Sequence, residues 1–218
     1  MKPVFWISLF LILLSPGVQA FTGATQSFRG EHIQVQVISG ERSLRPGQTQ
    51  TFALRFMPDP HWHVYWKNPG DSGEPPQVQW KKPADWKTSP LSWPWPQRIQ
   101  VGPFYNFGYE GEVILPFTVS VAQDLAGEAQ DLEVLVKWLV CEEACIPGQN
   151  LFSWSMPIHR GPEAEAGDWQ AVIQRSQTLQ PQGRVRATAT SSTDSNNVIV
   201  ELHVDEPSAA YRLLEFFP

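Results

Sequence analysis

The chain has 218 residues, 42% of them hydrophobic, and a formal net charge of -6 with no basic block. That apolar content is enough for a core, and the absence of a Lys/Arg cluster excludes nucleic acid as a partner. Twenty prolines and ten tryptophans favour an all-β chain rich in turns over a helical one.

In chain order, Lys2 precedes an apolar run from Val4 to Leu14, then Pro16-Gly17 and the small-residue site Val18-Gln19-Ala20. This pattern predicts a secretory signal over residues 1–20, cut before Phe21. The run falls well short of the roughly 20 residues a membrane helix needs. The mature chain is therefore expected outside the cytoplasm, where disulfides persist. Ile33, Val35 and Val37 alternate with polar residues, as do Phe52, Leu54 and Phe56, and Trp62, Val64 and Trp66 continue the pattern. Period two over such short runs predicts half-buried strands. "NPGDSGEPP", residues 68–76, is dense in turn formers and predicts no regular element. The prolines of "WKTSPLSWPWPQR" predict an extended, edge-like crossing, and Pro116 marks an edge or bulge in "EVILPFTVSV". "LEVLVKWLV" is apolar on both faces except at Lys137, which predicts a buried central strand running into Cys141. Phe152, Trp154, Met156 and Ile158 alternate again after the cysteine loop. About seven strands separated by turns predict an immunoglobulin-like antiparallel β-sandwich over 21–160.

Composition changes near Arg160. "GPEAEAGD" reads as a linker, Trp169, Val172 and Ile173 predict a short helix entered at Asp168, and a hairpin is expected across Asp194 to Asn197. The apolar "YRLLEFFP" has too few strands behind it to close a second sandwich. Residues 161–218 are thus expected to be a linker, a helix and the start of a second β domain that continues past Pro218.

The only cysteines, Cys141 and Cys145, have three residues between them in "WLVCEEACIPG". As a staple the pair would close a loop worth only about 2 kcal/mol, against about 4.7 for a hundred-residue loop. Residues four apart on an extended strand are separated by roughly 13 Å, while a disulfide needs Cα atoms about 4.4–6.8 Å apart. "CEEAC" must therefore fold back as a turn, with Pro147-Gly148 redirecting the chain and the sulfurs at a rim. Glu142 and Glu143 disfavour a thiolate at Cys141, and no cation in the loop opposes them. A copper-handling site is a second reading, because two thiolates with His61 and His63, expected on one side of their strand, suit soft metal ions. A carbohydrate-binding module is a third, since eight tryptophans lie between Trp62 and Trp154, although apolar-face positions make core packing the default. No nucleophile elbow or phosphate-binding glycine loop supports hydrolytic chemistry.

"HWHVYWKNPGDSGEPPQVQW", "WPWPQRIQVGPFYNFGYEGEVILPF" and "KWLVCEEACIPGQ" together resemble the amino-terminal domain of DsbD-type thiol:disulfide interchange proteins, within that group the ScsB-like branch. The resemblance covers about Phe28 to Ile158. It implies a periplasmic sandwich that belongs to a protein-disulfide reductase anchored in the inner membrane, with no cofactor and no metal. Electrons would pass from a membrane-embedded domain to a thioredoxin-like domain and then to this one. From here they would reach periplasmic clients such as isomerases and cytochrome-maturation thioredoxins. By the same resemblance Cys141 and Cys145 are the redox pair, with Cys141 attacking the client and Cys145 resolving. "FYNFGYEG" would be a cap loop, Phe107 covering the sulfurs with Tyr105 and Tyr109 beside it, and Glu110 is the candidate acid/base. The best-known members space their cysteines more widely.

Overall fold

The computed structural model describes residues 21–204 except 82, 84, 164, 181–186 and 195–196. The expected signal at 1–20 and the apolar stretch at 211–218 lie outside the described residues.

The chain begins with a meander of β1 (Phe28–Gly30), β2 (Ile33–Ser39) and β3 (Thr49–Pro58). The alternation expected here holds: Ile33, Val35, Val37, Phe52, Leu54 and Phe56 are each at most 1% exposed. β4 (His63–Gly70), β5 (Gln77–Lys81) and β6 (Lys87–Thr88) follow, then the hairpin of β7 (Gln97–Val101) and β8 (Phe104–Glu110). After β9 (Val113–Ser120) come the long strands β10 (Ala129–Cys141) and β11 (Cys145–Pro157). α1 (Gln170–Thr178) and a hairpin of β12 (Ala187–Asp194) and β13 (Asn197–Val204) end the described chain.

One sheet has the order β1-β2-β3-β9-β6 and the other β11-β10-β4-β8-β7, with β5 also pairing β10. Every pairing of named strands is antiparallel. Inward residues of both sheets, among them Leu54 and Leu115 on one and Val64, Val136 and Phe152 on the other, share one apolar core. The all-β sandwich expected from period two is the fold.

Several local expectations give way to longer-range pairing. β10 is central, but it alternates: Leu132, Val134, Val136, Trp138 and Val140 are buried, while Glu133, Leu135, Lys137 and Leu139 are half-exposed. β4 and β9 are the strands closed on both faces, with Val64, Tyr65 and Trp66 buried in one and Val113 to Phe117 in the other. β4 also runs through Asn68-Pro69-Gly70, because its register with β8 shifts between Tyr65 and Gly70 and leaves room for a proline. The irregular stretch is therefore 71–76. Pro116 lies within β9 opposite Ala53, with its carbonyl turned away from β3 to accept the Ser92 N–H at 2.6 Å. Its missing N–H faces the same way, toward the extended crossing, so no ladder bond with β3 is lost.

Pro147 and Gly148 do not redirect the chain. They lie inside β11, opposite Leu139 and Trp138. β11 is an edge strand, and Pro147 and Pro157 fall on the set of alternate residues whose N–H and C=O point away from β10. Pro157 O accordingly accepts a bond from Leu44 N–H at 2.7 Å, off the sheet margin.

α1 covers the outer face of the first sheet. Ile173, 2% exposed, packs on Ile38, Ala53 and Ile114, and the Arg55 guanidinium sits 4.6 Å above the Trp169 ring. Asp168 does not cap the helix; it is paired with Arg42, and the N-cap residue Trp169 has no side-chain cap.

Candidate functional site

"CEEAC" forms the tip of the β10–β11 hairpin. Glu142, Glu143 and Ala144 make the turn, closed by Glu142 N–H donating to Ala144 O at 3.2 Å. Cys141 and Cys145 face each other across the strands with Cα atoms 4.2 Å apart and are joined by a disulfide. Their settings differ. Cys141 ends a central strand, flanked by β11 and β4, and is 1% exposed; Cys145 starts the edge strand and is exposed. An exposed disulfide sulfur is open to attack by a thiolate, and the enclosed partner is then the leaving group.

A row of paired residues crosses four strands at this end of the sheet: Cys145, Cys141, His63 and Glu110. One step inward lies the row Ile146, Val140, Val64 and Tyr109, which belongs to or packs on the core. Because successive side chains alternate, the sulfurs, His63 and Glu110 share the opposite, outer face.

Tyr65 shares that face. Its side chain is buried, its hydroxyl lies 3.6 Å from Cys145 Sγ, and its ring stands edge-on to His63 at 5.1 Å between centroids. Burial pushes the Tyr65 phenol pKa up, and a hydrogen bond with the Ser72 side chain partly opposes this. Ser72 and Gly73, in the stretch 71–76, lie against the Tyr65 side chain. Gly73 has φ of +91°, and a Cβ there would overlap the Tyr65 ring, so the closeness requires glycine. Ser72 Oγ and N–H both donate to Asn106 Oδ1, at 3.0 and 3.2 Å, and Tyr105 N–H donates to Asp71 Oδ2 at 2.8 Å. His63, 1% exposed, has a buried Nε2 with no hydrogen-bond partner, and burial lowers its pKa from 6.5.

The sequence-derived site is brought together only in part. Cys141 and Cys145 are bonded, as a redox pair would be in its oxidised form. "FYNFGYEG" is no loop: residues 104–110 are β8, hydrogen-bonded to β7 and β4. Phe107 and Tyr109 are 8% and 6% exposed within the core, on the face away from the disulfide. Tyr109 donates its hydroxyl to Pro94 O at 2.8 Å, and burial raises its phenol pKa. Tyr105 is exposed, with the Arg98 guanidinium 5.1 Å above its ring. Glu110 is exposed at the end of the row, two strands from Cys141. What touches Cys145 Sγ is the Tyr65 hydroxyl, and what lies against Tyr65 is Ser72-Gly73 of "DSGEPP". The signal lay in "HWHVYW", whose outward positions carry an imidazole and a phenol where a solvated strand would carry simple polar groups.

The rival readings lose their footing. His61 sits in a turn at φ of +72°, exposed, while His63 is buried in β4, so the two imidazoles do not face one side. Among the described residues no three His, Cys, Asp or Glu side chains gather as a metal site. Of the eight tryptophans, Trp95 alone is largely exposed, at 59%, so no aromatic row is offered to a sugar chain.

The fold is similar to the N-terminal periplasmic domain of ScsB from Proteus mirabilis, with a TM-score of 0.59 and 19% sequence identity over 85% of this chain and 70% of that one. A comparison with curated proteins finds no match. The family model for the N-terminal domain of the thiol:disulfide interchange protein DsbD matches residues 34–154. That match spans over half of the sequence, from β2 to β11, and takes in both cysteines; the chain belongs to the DsbD N-terminal domain family.

Proposed function

We propose that this chain is a thiol–disulfide exchange domain that works in the periplasm, passing electron pairs through Cys141 and Cys145 to disulfide-bearing client proteins. The observation that carries the reading is a family-typical sandwich whose only disulfide sits at a hairpin tip and joins a buried Cys141 to an exposed Cys145. The upstream donor is a thioredoxin-like domain fed by a membrane-embedded one, in the same or a partner protein held at the inner membrane.

The exposure of Cys145 beside an enclosed Cys141 supports an order of attack opposite to the one the resemblance implies. A donor thiolate attacks Cys145 Sγ, the Sγ–Sγ bond breaks, and its electron pair leaves on Cys141. The donor's second thiolate then attacks its own sulfur in the mixed disulfide and releases Cys145 as thiolate. In the outward half, Cys145 attacks a client sulfur and the client's other sulfur leaves as thiolate. Cys141 resolves by attacking Cys145 Sγ, which frees the client dithiol and restores the disulfide. Two electrons enter and two leave. Tyr65 and residues 71–76 are the cover of the site in this reading, and Glu110 is a solvent-side carboxylate for proton exchange.

The test is trapping. Mixed with a reduced thioredoxin-type donor or an oxidised client, Cys141→Ser should accumulate a mixed disulfide through Cys145, and Cys145→Ser should accumulate none at comparable speed. Preferential trapping through Cys141 reverses the order, and client reduction by the double Cys→Ser chain refutes the function.

A further inference from the structure

Each sulfur of the disulfide has its own protic neighbour. Tyr65 holds its hydroxyl 3.6 Å from Cys145 Sγ. His63 is the residue paired directly with Cys141 across β4 and β10, on the same face, and cross-strand partners of this kind have Cβ atoms about 4.5–5.5 Å apart. His63 and Cys141 are each 1% exposed, so the imidazole is a nearer base for a Cys141 proton than bulk water is. The His63 Nε2 is buried and has no hydrogen-bond partner while the sulfurs are bonded to one another. A disulfide sulfur has no proton to give and is a weak acceptor. A cysteine thiol or thiolate, free to rotate toward it once the disulfide is broken, would satisfy that nitrogen. The orphaned atom thus fits the reduced state.

We propose that His63 is the proton partner of Cys141: it takes the Cys141 thiol proton as that sulfur attacks Cys145, and shares one proton with it whenever the pair is reduced. This rests on the exchange reading above. In the resolving step the Cys141 S–H proton moves to the imidazole and the Cys141–Cys145 bond forms. The Cys145–client bond breaks, and its electron pair leaves on the client sulfur. The imidazolium then returns its proton to water. In the opposite direction the sulfur that leaves on Cys141 is met by one proton drawn from solution into the pair. Groups placed beside His63 are Cys141 from β10, Glu110 from β8 and Tyr65 from its own strand, with Glu142 and Glu143 exposed in the turn beyond Cys141. Burial alone disfavours the imidazolium. A thiolate beside it favours that form, so the cation is called up only when the sulfur ionises. The same arrangement offsets the two neighbouring glutamates, whose charge disfavours a thiolate at Cys141.

The experiment uses the full chain, reduced and mixed with excess 5,5′-dithiobis(2-nitrobenzoate). Attack by Cys145 releases one coloured thiolate and leaves a mixed disulfide; resolution by Cys141 releases the second, so the second phase isolates the step His63 serves. His63→Phe should slow that phase about a hundredfold near neutral pH, with the rate then climbing log-linearly with pH to beyond the ordinary thiol pKa of about 8.5. The first phase should change by less than about threefold, since Cys145 is solvated. His63→Asn, smaller and polar, is the second variant should phenylalanine perturb folding, and it should show the same slow phase. As an independent readout, thiolate absorbance of Cys141 in a Cys145→Ser background should titrate at higher pH when His63 is replaced. An unchanged second phase and an unchanged Cys141 titration in both variants overturn the proposal. If the unsubstituted chain gives two phases with the reagent yet exchanges with no protein disulfide, the exchange reading fails and the His63 assignment stands separately.

Discussion

At the scale of single residues, His63 makes the fold sensitive to acid. Its native pKa is lowered from 6.5 by burial, so the unfolded chain binds a proton that the folded one refuses. Its contribution to stability is complete above about pH 6.5 and is lost as pH falls from there toward the lowered native value. Urea midpoints of the oxidised protein should therefore drop between about pH 7.5 and 5, and drop less in His63→Phe; parallel curves would assign the acid sensitivity elsewhere. Phe107 is governed by packing. Phe107→Ala should cost about 3–5 kcal/mol, read from denaturant midpoints; faster alkylation of the reduced cysteines at unchanged stability would restore it as a lid. The two residues also mark the limit of reading faces from sequence. "HWHVYW" and "FYNFGYEG" carry aromatic or imidazole groups at both parities, so period two identifies the strands but not which side of each meets the core. The cysteines were legible because nothing else in the chain carries a thiol.

Among the elements, the hairpin of β10 and β11 decides how far a redox change can spread. Thirteen residue pairs hold it in register, and the disulfide adds one cross-link at its tip. Reduction should lower stability by about 2 kcal/mol, a fall in Tm of about 4–8 °C with a single cooperative transition. Loss of cooperativity in a calorimetric scan of the reduced chain would mean that the hairpin depends on its cross-link. Strand positions were readable from alternation, as for Ile33 to Val37. Proline and glycine were over-read as punctuation: Pro69 sits at a register shift and Pro147 on an outward-facing edge position, both places where a strand tolerates them. Local composition holds no record of either circumstance, because each depends on which strand lies alongside.

For the molecule as a whole, two apolar inner faces made the sandwich predictable, while the strand order was not. β4 is placed between β10 and β8 by contacts between residues more than thirty positions apart, and that placement brings His63 and Tyr65 to the disulfide. α1 closes the outer side of the other sheet, so the disulfide end stays uncovered by it. The outermost strand, β11, carries Cys145 at one end. Pro147 and Pro157 remove two of its seven outward-facing amide donors. Pro147→Val should give sedimentation profiles that shift with concentration as chains zip side by side, whereas the unsubstituted chain should show none of that dependence through this edge. A visitor reaching Cys145 thus finds a border that offers a sulfur but refuses to lengthen the sheet, so the meeting can end when the bond has changed hands.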